Sequence, residues 1–160
     1  MVHFHGLAGG TGGSSSAAAS GTATASEEAR ATITIPKKLL GRYGRIKITT
    51  SWNYTNGADD KTMRVRFSTI SGTAFTEILS TTTQTASLQT EIINNAATNS
   101  QKGRAPATVN GWTAGTAAAI PTSVVDTDAA DTTVVISGQK ETAGDTLTLE
   151  SYSVEILAGG

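Results

Sequence analysis

The sequence predicts an all-β protein, a jelly-roll-like β-sandwich of about eight strands with an extended N-terminal arm. Threonine is the commonest of the 160 residues, and its β-branched side chain suits a pleated surface. Short stretches alternate apolar and polar residues at period two and are separated by polar turns, which is typical of a sandwich or barrel. Many connections are longer than tight hairpins, which favours a jelly roll, and nothing in the pattern supports a βαβ unit.

A long strand is predicted over residues 46–54. Its face is formed by Ile46, Ile48, Thr50, Trp52 and Tyr54, with polar residues in between. The residues 56–60 that follow, Asn-Gly-Ala-Asp-Asp, have strong turn chemistry because Asn and Gly accept positive φ at little cost. The chain then returns through alternating apolar residues at 63–67, so the pattern predicts a hairpin, with Trp52 in the core.

Further strands are predicted at 32–35, 73–80, 86–94, 107–112, 122–126, 132–138 and 146–157. In the last strand Leu147 and Leu149 have one parity, whereas Tyr152, Val154 and Ile156 have the other. A β-bulge or a bend between sheets would explain this switch. Residues 80–87 and 95–105 are polar and are predicted to be connections.

Two regions are distinguished by composition. Residues 1–7 form a short alternating apolar patch, and residues 8–26 are almost wholly Ala, Gly, Ser and Thr, with no aromatic side chain. Such a stretch is typical of a flexible linker. We therefore predict that residues 1–26 are an N-terminal anchoring arm with its linker, and that residues 27–160 form the β-sandwich domain.

Charge and cysteine content exclude several classes of partner. The net charge is −1, which provides no long-range field to attract nucleic acid. Basic residues concentrate between 37 and 66 and acidic residues between 126 and 155. They could lie on complementary strands of one fold, or form a basic face on one subunit that meets an acidic face on its neighbour. The chain has no cysteine for disulfides or thiolate metal sites.

The sequence also shows no targeting signal and no membrane-spanning segment. The N-terminus lacks the basic start and apolar run of a signal peptide, and no segment approaches the roughly 20 apolar residues of a membrane helix. We therefore expect no membrane partner and a protein that stays in the cytoplasm of its host until it is released by another route, such as lysis.

Catalytic chemistry has little support in the sequence. Its two histidines, His3 and His5, lie in the arm, whereas a nucleophile system needs a rigidly held histidine. The tight carboxylate pairs, Asp59 with Asp60 and Asp126 with Asp128, lie in turn-like contexts that suit solvated residues. We expect no enzyme activity and no cofactor.

Three features could bind a partner. An anchor that binds a partner surface could be formed by the apolar residues Val2, Phe4 and Leu7. His3 and His5 would share one face of a strand, so three chains around an axis would offer six imidazoles to one octahedral metal. Trp112 could be a core residue at a strand end or an exposed contact for sugar or protein.

The ordered set of motifs from Leu39 to Leu157 resembles a small domain found in structural proteins of tailed bacteriophages. The pieces that carry the resemblance are Gly44-Arg45-Ile46-Lys47-Ile48 running to Trp52, Lys61-Thr62-Met63-Arg64-Val65-Arg66-Phe67, Glu91-Ile92-Ile93-Asn94-Asn95 with Asn99-Ser100-Gln101, and Gly144-Asp145-Thr146-Leu147-Thr148-Leu149-Glu150 continuing to Tyr152, Val154 and Glu155. The resemblance covers roughly three quarters of the chain and implies a jelly-roll-like, commonly trimeric domain with no catalytic residues to transfer.

The resemblance and the arm together give an expected function. They imply a virion protein, assembled in the cytoplasm of a bacterial host, that acts as a capsid decoration, cement or head-fibre protein. Its expected partners are itself, as a homotrimer, and the major capsid protein or another virion protein bound through the arm. The alternative is a tail fibre or receptor-binding module that recognises host-surface carbohydrate through Trp112 and the 95–116 loops.

Overall fold

A computed structural model describes residues 25–103 and 120–160 in full, together with the backbone pairing of residues 2–3, 14–15 and 19–20. Within these residues the chain forms β-strands and no helix, so this part holds no helix that could span a membrane. The strands are β1 (Val2–His3), β2 (Ser14–Ser15), β3 (Ala19–Ser20), β4 (Glu28–Ile35), β5 (Arg45–Tyr54), β6 (Lys61–Phe67), β7 (Ala74–Ser80), β8 (Thr85–Asn94), β9 (Gln101–Gly103), β10 (Thr122–Ser123), β11 (Thr132–Lys140) and β12 (Leu147–Leu157).

The strands form two antiparallel sheets. The smaller sheet has the order β4-β11-β6-β7, and the larger sheet has the order β12-β5-β8-β9-β10. The short strands β1, β2 and β3 pair with the edge of β12 that faces away from β5. The prediction of an all-β sandwich is therefore confirmed.

The core lies between the two sheets. In β5 the predicted face is buried, and its neighbours on the strand point outward. Trp52 is 2% exposed, as predicted for a core residue, and its indole Nε1 donates to Thr50 Oγ1 at 2.9 Å. The fully buried apolar residues opposite β5 include Ile33, Ile35, Met63, Val65, Phe67, Val134 and Ile136.

The predicted hairpin between residues 46–54 and 63–67 is wrong. β5 pairs with β12 and β8, whereas β6 pairs with β11 and β7 in the other sheet. The turn after β5 passes from the larger sheet to the smaller one, because each strand has an apolar face and the two faces pack against each other across the core. Lys61 holds this crossing: its buried Nζ donates to Asp59 O at 2.8 Å and lies 2.9 Å from Asp145 Oδ2.

The parity switch in the last predicted strand is a β-bulge. The register of β12 against β5 shifts between Leu149 and Ser151, so residues on both sides of the switch face the core. Two other strand predictions need correction. The predicted strand 122–126 is reduced to β10, and the predicted connection 95–105 contains β9. The predicted strand 107–112 lies outside the described residues.

The clusters of opposite charge pair in part within the chain. Lys47 lies 4.0 Å from Glu155, and Lys61 lies 2.9 Å from Asp145, so complementary strands of one fold account for two pairs. Arg64 and Arg66 instead bind Glu27, which belongs to neither cluster. This contact fixes the chain to the sandwich at the boundary predicted between linker and domain.

Candidate interaction surface

One end of the sandwich lies where β12 ends at Leu157, which pairs with Arg45 at the start of β5. We call this the C-terminal end. It also includes the connections at residues 36–44, 68–73, 95–100 and 124–131. Backbone hydrogen bonds join these connections, as where Lys38 N donates to Thr127 O at 2.9 Å.

Exposed apolar side chains concentrate at this end. Five of the six large ones among the described residues lie there or flank β10 beside it: Tyr43, Ile70, Ile120, Val124 and Leu157. Val124 is 84% exposed, and Tyr43 and Leu157 are 59% and 52% exposed. The sixth, Leu79, lies on β7 towards the opposite end. Single exposed apolar residues need no explanation, but several at or beside one end of a sandwich make that end a candidate interaction site.

The backbone of residues 40–43 is joined to the last residues of the chain, which follow Leu157. Tyr43 N donates to Gly159 O at 3.2 Å, and Gly159 N donates to Leu40 O at 2.8 Å. Gly41 makes this packing possible, since it has a φ of 66° and a Cβ there would lie 1.9 Å from Gly159 O. The side chains of this corner therefore stand on a fixed turn.

A buried polar network fixes the neighbouring connections. Gln101 is 1% exposed, and its Nε2 donates to Asn94 Oδ1 at 2.9 Å and to Val125 O at 2.9 Å. Its Oε1 accepts from Val125 N at 3.1 Å, which fixes the residue next to the exposed Val124. Asn94 in turn donates to Gly41 O at 2.7 Å. Because these buried groups are paired, the surface above them is preorganised.

The N-terminal region pairs with the free edge of β12. β1 pairs Val2 with Ile156 and His3 with Glu155, so the start of the chain lies at the C-terminal end. β2 and β3 pair further along the same edge, with residues 152–153 and 148–149 respectively. The three pairings follow one antiparallel direction, as a single interrupted strand would.

The interruption includes two of the three predicted anchor residues, Phe4 and Leu7, whereas the third, Val2, lies in β1. Ten residues, 4–13, separate His3 from Ser14, whereas Val154 alone separates their partners on β12. The stretch between the paired positions contains Phe4 and Leu7. The pairing therefore joins both ends of this stretch to the edge of β12.

The base of the N-terminal region is held by a clamp around Glu27. Arg66 Nε and Nη2 donate to the two oxygens of Glu27 at 2.7 and 2.8 Å, and Ser137 Oγ donates at 2.5 Å. Arg64 Nη1 lies 3.4 Å from the same carboxylate. Burial acts to raise the pKa of Glu27, but the hydrogen bonds from Arg66 and Ser137 and the charge of Arg64 together lower it below its ordinary value.

The predicted site residues are described only in part. Val2 and His3 are placed by backbone pairing at the C-terminal end, whereas Phe4, His5, Leu7 and Trp112 lie outside the described residues. Across residues 25–103 and 120–160, no group of three or more His, Cys, Asp or Glu is arranged to hold a metal. The shared histidine site and the sugar contact therefore stay predictions.

Sequence reasoning missed the residues that shape this surface. Tyr43 lies in a turn between Arg42 and Gly44, and Leu157 has the parity of the outward residues Ser153 and Glu155, so exposure of Leu157 could have been inferred. Glu27 is the first charged residue after the uncharged linker. No local signal shows its partners, because Arg66 is 39 residues away in sequence.

Comparison with known proteins adds no relative. No family model, no curated protein and no solved structure matches this chain.

Proposed function

We propose that this protein is a non-enzymatic structural protein of a bacteriophage virion, a capsid decoration, cement or head-fibre protein. It binds the major capsid protein or another virion protein through its N-terminal arm, and it oligomerises through its β domain as a homotrimer. It is assembled into particles in the cytoplasm of the bacterial host. The proposal begins from the resemblance in sequence, and the geometry of the C-terminal end supports it.

The observation that supports it most is the shared position of the arm and the exposed apolar residues. Val2 pairs with Ile156, next to the exposed Leu157 and on the same end as Tyr43. The stretch with Phe4 and Leu7 begins there. An arm and an apolar surface at one end can contact a shell together, while the opposite end of the sandwich projects from it.

Oligomerisation and the finer fold assignment belong to the same proposal. A closed homotrimer would cover exposed sheet edges, which otherwise invite uncontrolled pairing. Among the described residues, the outer edge of β12 carries three pairings of two residues each, and the edge strand β7 has the exposed Leu79. The jelly-roll-like assignment is supported by the repeated crossing of the chain between the sheets, as from β4 to β5 and from β5 to β6.

Deletion of residues 2–13 tests the proposal. This variant keeps the Glu27 clamp and the segment that contains β2 and β3. We expect a folded protein with an unchanged number of subunits by light scattering that no longer co-sediments with particles of the parent phage. The control is the Leu79→Ser variant, which changes an exposed apolar residue near the opposite end and should bind normally. Normal binding by the deletion variant would show that the arm is not the anchor.

The carbohydrate-binding alternative depends on Trp112 and the 95–116 loops. A glycan array separates the two functions, since a pure decoration protein binds no glycan. Specific glycan binding that is lost on Trp112→Ala would favour the receptor-binding module.

A further inference from the structure

At the C-terminal end, the outer face of the larger sheet finishes in one row of directly paired residues. Each of the five strands contributes one residue to this outer row, in the order Leu157, Arg45, Ile93, Lys102 and Thr122. Directly paired residues lie on the same face of a sheet. The row faces away from the core, because the adjacent pair Ile46 and Ile92 is buried. It is about 19 Å wide, since neighbouring strands lie about 4.8 Å apart.

Exposed apolar side chains flank both ends of the outer row. Leu157 is exposed at one end, and the exposed Tyr43 precedes β5 beside it. At the other end Ile120 and Val124 precede and follow the exposed Thr122 by two residues, and both are exposed. The row therefore offers a partner apolar contacts on either side of its charged residues.

The charge that this face presents to solvent is positive. Arg45 lies 3.7 Å from Glu91, but the side chain of Arg45 is 47% exposed whereas that of Glu91 is 5% exposed. In the adjacent outward row Lys47 is 36% exposed, and its partner Glu155 is 27% exposed. Lys102 is exposed and forms no ion pair within the residues that the structure describes. In each pair the cation is thus the more accessible partner.

The opposite end of the sandwich has the reverse arrangement. There the cations Lys61 and Lys140 are buried, and they donate to backbone carbonyls of their own connections. Glu141, which follows β11, is exposed. A partner that carries carboxylates is therefore attracted to the outer row and repelled by the opposite end, so charge favours one docking orientation.

An acidic protein surface fits this face better than a nucleic acid does. Nucleic-acid sites combine many phosphate-binding cations with aromatic side chains for stacking. Here two cations, Arg45 and Lys102, lie among exposed aliphatic side chains, and the net charge of the chain is −1. Apolar contacts combined with a few charged groups are typical of protein interfaces.

We propose that the outer row binds an acidic surface of the virion protein to which this protein attaches. Carboxylates of that surface lie opposite Arg45 and Lys102, and its apolar side chains lie opposite Leu157 and Val124. This inference rests on the proposed function and specifies the chemistry of its partner. The cations set the orientation and the rate of association, whereas the apolar contacts slow dissociation.

Zero-length cross-linking of the particle-bound protein tests the partner directly. A carbodiimide joins a lysine amine to a neighbouring carboxylate as an amide with loss of water, and mass spectrometry identifies the joined peptides. Lys47 and Glu155 lie 4.0 Å apart in one chain and provide the internal positive control. We expect Lys102 to be joined to an Asp or Glu of another virion protein.

The variant Arg45→Gln/Lys102→Gln tests the contribution of the two cations to binding. The matched control Asn53→Asp/Gln84→Glu makes the net charge more negative by the same amount and keeps side-chain size, at exposed positions of the opposite end. Lys102→Gln alone keeps the contact of Arg45 with Glu91, so it measures the effect even where the double variant is unstable.

We expect co-sedimentation with parent particles to weaken about tenfold in the double variant, about threefold in Lys102→Gln and less than about twofold in the control. Wild-type affinity should also fall about tenfold between about 0.05 and 0.3 M NaCl.

Three results would overturn the acidic partner and leave the proposed function intact. They are wild-type binding that does not respond to salt or to either variant, Lys102 cross-links that join only copies of this chain, and binding that is lost when the particles are treated with nuclease. Wild-type protein that binds no particle at any salt concentration would refute the proposed function itself.

Discussion

Substitution of Glu27 by Gln is the perturbation that tests the clamp most sharply. The change keeps the shape of the side chain and removes its charge. Arg66 then loses one charged partner but keeps Gly72 O, to which its Nη1 donates at 2.9 Å. Arg64 keeps Glu77 and Gln139. Ser137 Oγ can still donate to the amide oxygen of Gln, so the loss is that of the charge and of one of the two hydrogen bonds from Arg66, not of the whole network.

The size of the effect follows from the burial of the pair. Fully exposed ion pairs contribute about 0–1 kcal/mol, and hydrogen bonds to charged groups contribute about 1.5–3 kcal/mol. The side chains of Glu27 and Arg66 are 19% and 17% exposed, which is between these cases. We expect Glu27→Gln to lower the free energy of unfolding by about 1–2 kcal/mol.

Urea unfolding at neutral pH measures this change. The control is Glu77→Gln, whose carboxylate accepts from Arg64 Nε at 2.7 Å but is 55% exposed. The control should lose less than about 0.5 kcal/mol because solvent screens the pair. Hydrogen exchange should also increase at residues 25–30 in Glu27→Gln. Equal losses in the two variants, or unchanged stability in Glu27→Gln, would refute the account of the clamp.

The pH dependence of the clamp has a definite sign. Arg66, Ser137 and Arg64 lower the pKa of Glu27 against the opposing effect of burial. A lowered folded-state pKa gives stability that is fully present above the unfolded value of about 4.3 and is lost as the pH falls through the folded value. The stability difference between wild type and Glu27→Gln should therefore be constant above roughly pH 5.5 and shrink below it. A difference that grows on acidification would contradict this sign.

Three further predictions concern the C-terminal end. Gly41→Ala should lower the free energy of unfolding by about 1–3 kcal/mol in thermal or urea unfolding, because Gly41 has a φ of 66° and a Cβ would overlap Gly159 O. A variant as stable as the wild type would contradict the packing of the last residues. Gln101→Leu should lose about 2–4 kcal/mol in the same assay, since it leaves buried partners such as Asn94 Oδ1 unpaired, and a loss below about 1 kcal/mol would contradict the network. The double variant Tyr43→Ser/Leu157→Ser should change the free energy of unfolding by less than about 1 kcal/mol, as expected for exposed sites. It should nevertheless weaken co-sedimentation with parent particles at least tenfold. Unchanged binding would show that these residues are not in the interface.

Alternation in the sequence predicted which faces are buried but not which strands pair. The face of β5 and the bulge in β12 both follow from parity, which is a local property of the chain. The pairing of β5 with β12 depends on residues about a hundred positions apart. The turn at 56–60 has the chemistry of a hairpin, but it crosses between sheets because the apolar faces of β5 and β6 pack against each other, and Lys61 and Asp145 pair beside it.

Local sequence patterns predicted even less of the candidate surface. The sequence marked residues 1–26 as an arm, and the structure adds that parts of this region pair with β12. The clamp joins Glu27 to Ser137, which is 110 residues away, so only the folded chain brings them together. Exposure of Tyr43 and Val124 depends in the same way on how the connections pack at one end.

A cryo-EM map of the parent phage particle tests the central claim most directly. The account predicts β-sandwich trimers on the outside of the virion, with the end that carries Tyr43 and Leu157 facing the particle and density for the N-terminal region entering the contact. A particle without these trimers, or trimers attached by the opposite end where Lys61 and Asp145 lie, would contradict it.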